Sequence, residues 1–222
     1  MRLILLGAPG SGKGTMGEMI SRATGFPRIS TGDLLRKAVR EGTPVGRKAE
    51  AVMKSGGLVD DATVTGLVRD RIAAPDCLGG YILDGYPRTS AQAEAIEAID
   101  PARPEIVLDL VVGEEVIVGR LSGRRVCPSC GAVFHLVNMP PKAAGVCDVC
   151  GGDLVQRADD AAATVRERLR VYREATAPLQ ARYREKGTYR PVNGDGFPEE
   201  VYSRIAVVLA GPKNASGEGR PG

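Results

Sequence analysis

The residues best suited to chemistry are a lysine set among glycines, two CxxC pairs, and arginines on either side of those pairs. Gly7, Gly10, Gly12 and Gly14 surround Lys13, directly after the apolar run Arg2 to Leu6. Glycine lets the backbone take positive φ, so successive N–H groups turn into one concavity. At a helix N-terminus such a nest holds a polyphosphate, and the Lys13 ammonium can follow the β- and γ-phosphates. The run Gly7 to Lys13 reads as a P-loop. Gly14 stands where Ser or Thr usually follows the lysine, with Thr15 one place later, which weakens the case for a hydroxyl contact to Mg²⁺ but not for phosphate binding.

The second constellation is Cys127-Pro-Ser-Cys130 followed by Cys147-Asp-Val-Cys150. Each CxxC can place two thiolates on one metal, and the two pairs complete a tetrahedral set that suits Zn²⁺. Gly131 and Gly151 follow the pairs and permit the turns that aim backbone N–H groups at sulfur. Four cysteines leave no open coordination position, so a structural metal is expected rather than a catalytic one. Residues 123–160 are too few to hold together by apolar burial alone, and the metal supplies the missing stability. His135, the one histidine, is expected to be a packing or surface residue, and Cys77 a small buried hydrophobe.

Arg120, Arg124 and Arg125 precede this insert, and Arg157 and Arg168 follow it. Planar, permanently charged donors on both hinges can fold over anionic phosphates. Arg166, Arg170 and Arg173 read as solvated helix residues.

The elements that must position these groups follow from periodicity and punctuation. A strand is expected at Arg2 to Leu6 and a helix at Gly12 to Thr24, with Met16, Ile20 and Ala23 inward. Ser30 or Thr31 can cap the helix that carries Asp33 and Arg36. Gly42-Thr43-Pro44 and Ser55-Gly56-Gly57 bracket another helix, Val45 to Lys54, so this stretch resembles an inserted flap. Asp60 caps a helix over Ala62 to Ala73. Strands follow at Gly80 to Asp84 and Ile106 to Val112, with a helix at Glu114 to Leu121, a further strand at Tyr189 to Val192 and a last helix at Pro198 to Ala210.

Asp84 ends a buried strand, where α/β nucleotide sites keep a carboxylate for Mg²⁺ or its waters. Arg88 leaves the same carboxyl edge after Gly85-Tyr86-Pro87, which makes it a candidate phosphate ligand. Thr89 caps the next helix, with Gln92 in its first turn. Strands alternating with helices predict a parallel sheet covered on both faces.

Composition sets the bounds. The 222 residues are 43% hydrophobic and 26% charged, which suits one globular core with small inserted modules. No apolar run is long enough to cross a bilayer, and the short run Leu3 to Leu6 is no signal peptide. A net charge of +3 is too slight for a nucleic-acid surface. Paired CxxC cysteines point to a reducing, cytoplasmic setting. Residues 211–222 are expected to be disordered.

GAPGSGKGT at Gly7 to Thr15, STGDLLR at Ser30 to Arg36, LDGYPRT at Leu83 to Thr89 and GRRVCPSCG at Gly123 to Gly131 together resemble the adenylate kinase family, in its long-lid, zinc-binding form. The resemblance implies a P-loop nucleoside monophosphate kinase fold with a core of residues 1–29, 60–122 and 161–210, a monophosphate-binding flap at 30–59 and a zinc-binding lid at 123–160. It implies reversible, Mg²⁺-dependent transfer, ATP + AMP to two ADP, by a monomer that engages neither nucleic acid nor membrane.

By position, Gly10, Ser11, Gly12, Lys13, Gly14 and Thr15 would hold ATP phosphates, Arg120 would pack on the donor base, and Gly196 would contact that base through backbone. Thr31, Arg36, Gly57, Leu58, Val59, Gly85, Tyr86, Pro87, Arg88 and Gln92 would hold AMP. Arg124 would reach the ATP phosphates, and Arg157 and Arg168 would clamp the transferring group. Two bound nucleotides bring about six negative charges, and these cations with Mg²⁺ can balance them. A GTP donor, another acceptor, or a zinc-ribbon nucleic-acid-binding ATPase are the competing readings. The last is disfavoured because the insert has few basic residues between its cysteines and Phe134 as its one aromatic there.

Overall fold

The structure, a computed structural model, describes residues 1–210, so the disorder expected for 211–222 lies outside the described residues. From the N-terminus run β1 (Arg2–Leu6), α1 (Lys13–Thr24), β2 (Arg28–Ser30), α2 (Thr31–Arg40), α3 (Pro44–Ser55) and α4 (Asp61–Ile72). Then come β3 (Tyr81–Asp84), α5 (Ser90–Ile99), β4 (Glu105–Val111), α6 (Glu114–Gly123), β5 (Arg124–Val126) and β6 (Val133–His135). The chain closes with α7 (Ala162–Val171), a π-helical turn (Tyr172–Thr176), α8 (Leu179–Glu185), β7 (Tyr189–Asn193) and α9 (Pro198–Ala210).

β2, β3, β1, β4 and β7 form one parallel sheet in that order. Every residue of β1 is buried, and its alternate side chains feed two cores. Leu3 and Leu5 pack with Met16, Ile20, Val201 and Ile205 from α1 and α9. Ile4 and Leu6 pack on the other face with Ala93, Ile96 and Tyr183 from α5 and α8. An apolar run from Leu3 to Leu6 is what burial on both faces requires, and the buried Arg2 that precedes it is paired with Glu105 at 2.8 Å. Pro191 is tolerated in β7 because that strand lies at the sheet edge.

The strand order turns outward on both sides of β1, so a crevice opens at the carboxyl ends of β1, β3 and β4. Gly7, Asp84 and the start of α1 meet there. The helices that border the crevice start where side chains satisfy their free N–H groups. Ser30 accepts from Asp33 N at 3.3 Å, Thr43 from Gly46 N at 3.0 Å, Asp60 from Thr63 N at 2.9 Å and Thr89 from Gln92 N at 3.2 Å. α2 and α3 cross so closely at Gly46 that a Cβ there would collide with the Ala38 carbonyl.

The structure corrects several expectations. Ala23 is exposed, not inward, because α1 turns its last residues to solvent. β4 runs one residue earlier than expected at both ends. Ser30 is the cap, which frees the Thr31 hydroxyl to donate to Gly85 O at 2.8 Å. Three short strands, β2, β5 and β6, and the helix α8 had no element assigned to them, and the helix expected around Arg166 and Arg170 takes its bounds from α7. β5 and β6 pair antiparallel, with Val126 also bridging to Val155. Among the described residues no helix is long and apolar enough to cross a membrane.

Candidate active site

The loop after β1 takes positive φ at Gly7, Gly10 and Gly12 and turns into α1 at Lys13. A side chain at Gly10 would strike Leu121, so α6 is packed against the loop's back. Lys13 Nζ donates to Gly7 O at 2.7 Å and Ala8 O at 2.9 Å, which holds the ammonium over the loop. Burial is the main cause of its lowered pKa, to about 8, with Arg88 and Arg168 adding to it and Asp84 opposing. Beside the loop, Arg120 donates to Gly194 O at 2.9 Å, Ser11 O at 3.3 Å and Gly196 O at 3.4 Å, tying the β7–α9 connection to the loop.

A cleft of about 1910 Å³ is lined by this loop, by α2 and the Gly57 to Val59 turn, by Gly85, Pro87, Arg88 and Gln92, and by residues of 120–159 with Arg168, Gly194 and Gly196. It exceeds the roughly 300–1,000 Å³ usual for one small ligand, and has room for two nucleotides. Of the residues expected at the nucleotide sites, Tyr86 alone stands apart. Its ring is buried in the core and its hydroxyl meets Thr65 Oγ1 at 3.0 Å. Gln92 lines the cleft, yet its amide already accepts from Arg88 N and donates to Asp61, each at 2.8 Å.

The cations crowd one another. Arg88 Nε donates to Gly85 O at 2.9 Å, and burial, then Arg168 and Arg36, push its pKa down against Asp84. Arg157 is held down to about 10 by burial and by Arg36 and Arg124, and its Nε is buried without a partner. Like charges in a low-dielectric cleft repel, and bound polyphosphate would relieve that cost. Asp160, buried and fully enclosed at its side chain, organises part of the set. It takes Arg124 Nε on Oδ2 at 2.8 Å and Arg168 NH1 on Oδ1 at 3.1 Å.

Asp84 sits at the carboxyl end of β3, but Arg28 occupies one of its oxygens: NH2 and Nε reach Oδ2 at 2.5 and 3.1 Å. Oδ1 carries no protein hydrogen bond among the described residues. The Arg28 guanidinium lies against Gly14, which explains in steric terms why that position carries no side chain.

The cysteines form a separate centre. Sγ atoms of Cys127, Cys130, Cys147 and Cys150 all lie within 4.8 Å of one another, and none is in a disulfide. The Cys127–Cys150 and Cys130–Cys147 sulfurs are 3.4 and 3.5 Å apart, a spacing compatible with four thiolates on one tetrahedral ion. His135 takes no part: Nδ1 accepts from Val137 N at 3.1 Å and Asn138 N at 3.0 Å, closing the turn after β6.

A profile of the adenylate kinase family matches residues 5–188. Adenylate kinases of Moorella thermoacetica and Archaeoglobus fulgidus are each 50% identical to the chain over 212 residues, 94% of this chain and 98% of theirs. That of Trichlorobacter lovleyi is 51% identical, covering 94% of this chain and 99% of its own. The chain belongs to the adenylate kinase family.

Adenylate kinases are phosphotransferases, and the residues that sequence reasoning passed over are the partners of the cleft's side chains: Asp160 for Arg124 and Arg168, Arg28 for Asp84, and Asp61 for Gln92. Asp160 and Arg28 carry no motif; Asp61 reads only as a helix-start acid. One signal was legible for Asp160, an acidic pair beside Arg157, but the charge alone does not say which arginines fold back onto it.

The lowered Lys13 pKa has a measurable consequence. Above about pH 8 the free protein loses this positive charge, whereas bound phosphates favour the protonated amine. ATP binding is therefore expected to take up a proton, approaching one per site, as pH rises from 8 to 9.5, and to weaken over that range. Calorimetry in buffers of different ionisation heat measures it. Equal heats in all buffers at pH 9 would remove Lys13 from the phosphate site.

Proposed function

We propose that this chain transfers a phosphoryl group reversibly between Mg²⁺·ATP and AMP, giving two ADP. The observation that carries the reading is the convergence of Lys13, Arg36, Arg88, Arg124, Arg157 and Arg168 on one cleft that begins at a P-loop. Phosphoryl transfer requires little covalent help, so positioning and charge neutralisation supply most of the rate. No general base is needed when the attacking atom is a phosphate oxygen.

In this reading the loop from Gly10 to Thr15 holds the donor phosphates and Arg120 with Gly196 borders the donor base. Thr31, Arg36, the Gly57 to Val59 backbone, Gly85, Pro87, Arg88 and Gln92 border the acceptor. Arg88, Arg124, Arg157 and Arg168 neutralise the group in flight. Asp84, whose Oδ1 is left free by Arg28, would hold the waters of the Mg²⁺ carried by the donor, which would supply charge neutralisation on its phosphates. The thiolates of Cys127, Cys130, Cys147 and Cys150 suit Zn²⁺, which would staple the 123–160 segment without touching substrate.

Residues 30–59 and 123–160 act as flap and lid and shut water out before transfer, a motion for which the adenylate kinase lid is a standing example. The working unit is a cytoplasmic monomer that needs no nucleic acid. A coupled assay of ADP formation with AMP, CMP, GMP and UMP as acceptors, with metal content on the same sample, tests the reading. ATP hydrolysis that proceeds equally fast without any acceptor would overturn it.

A further inference from the structure

Gln92 is 2% exposed and is the only amide side chain lining the cleft outside residues 123–160, among the described residues. A primary amide offers two N–H donors and an oxygen with two lone pairs. Here the main-chain N–H of Arg88 takes one lone pair at 2.8 Å, and Asp61 Oδ1 takes one N–H at 2.8 Å. Asp61 is itself held, because its Oδ2 accepts the Thr89 hydroxyl at 2.9 Å. A backbone N–H only donates and a carboxylate only accepts, so the order of oxygen and nitrogen in this amide is dictated by its partners. One N–H and one lone pair are left over.

We propose that Asp61 is a specificity-determining positioning residue. Together with the Arg88 N–H it locks the Gln92 amide in one order, which makes the acceptor site read a base edge that presents an amino donor beside a ring-nitrogen acceptor. Adenine and cytosine present that order. Guanine and uracil present the reverse, a carbonyl acceptor beside a ring N–H donor. Against the locked amide in the same pose, the reversed edge sets donor to donor and acceptor to acceptor, leaving buried polar groups unpaired. An amide free to turn over would accept both orders. Cytosine is then rejected by its smaller ring, through lost contact rather than through mismatched polarity. The inference rests on the cleft being a nucleoside monophosphate site.

The test is the steady-state kinetics of AMP, CMP, GMP and UMP with saturating Mg²⁺·ATP in the unmodified protein, Asp61→Ala and Asp61→Asn, with melting temperatures recorded for each. The unmodified protein is expected to rank AMP first, CMP second, and GMP and UMP last in kcat/KM. Asp61→Ala leaves the Arg88 N–H as the one remaining fix on the amide, so it should raise KM for AMP about threefold with kcat nearly unchanged, and should narrow the AMP:GMP and CMP:UMP ratios by about the same factor. Asp61→Asn, which still offers an acceptor oxygen, should keep both ratios. If Asp61→Ala retains the original ratios, or weakens all four acceptors equally, the lock is wrong while the acceptor-site reading stands. An unmodified protein that phosphorylates none of the four would overturn the reading and the lock together.

Discussion

Arg88→Ala is expected to lower kcat by about 10²–10³, the loss typical of removing one preorganised charge donor from a transition state. The thermal midpoint should stay where it is or rise. Both halves come from the same geometry. Among the described residues the guanidinium makes one hydrogen bond, to Gly85 O, and it is buried beside Arg168 and Arg36, whose repulsion Asp84 only partly offsets. Deleting it relieves repulsion in the folded protein and exposes no unpaired partner beyond a carbonyl that Thr31 still serves at 2.8 Å.

The charge is therefore costly to the fold, and a phosphate bound beside it would offset that cost. Arg88→Lys keeps the charge but loses the planar, two-pronged donor, so it should recover only part of the rate. Single-turnover transfer and a melting curve on the same preparation check the pair. Near-normal kcat in Arg88→Ala would take this arginine out of the reaction; a large fall in melting temperature would make it a structural residue instead.

The core was legible because local rules and tertiary demands agree there. β1 is apolar from Leu3 to Leu6, as suits a doubly covered strand, and the glycines that follow mark a turn that nothing bulkier could make. Caps at Ser30, Thr43, Asp60 and Thr89 announce the helices by chemistry that acts within a few residues. β5 and β6 were not legible, since strands of three residues have little periodicity and are held by long-range pairing and the cysteine centre.

At the site, the arginines could be nominated from their place beside the insert, whereas their partners could not. Asp160 collects Arg124 and Arg168 only because α6, β5 and α7 converge, and Arg28 finds Asp84 across 56 residues. Gln92 shows the same limit from the other side. Its position in a first turn was readable, and the Arg88 N–H that it accepts is local, but Asp61, which takes its N–H, lies 31 residues away in the chain.

Removing metal from the cysteine centre should unfold residues 123–160 while the parallel sheet remains. β5 and β6 share three pairs of residues, and much of the segment's apolar surface is exposed, including Leu136, Val137 and Val149. Burial on that scale cannot offset the chain entropy of ordering the segment. Structural zinc supplies about 10–16 kcal/mol in comparable peptides at neutral pH, far more than the segment needs.

Chelation or Cys130→Ser should accordingly abolish amide protection across 124–155, leave protection in β1, β3 and β4 intact, and split the thermal transition into two. Transfer to AMP should fall more than tenfold, since Arg124 and Arg157 sit at the two ends of the segment and lose their placement with it. Hydrolysis of ATP should fall less, because water then reaches the donor phosphate while the acceptor geometry is lost. Hydrogen exchange followed by mass spectrometry, with metal quantified before and after, decides the matter. Full protection of 124–155 in metal-free protein would mean that side-chain packing alone holds the segment, and the four thiolates would need another explanation.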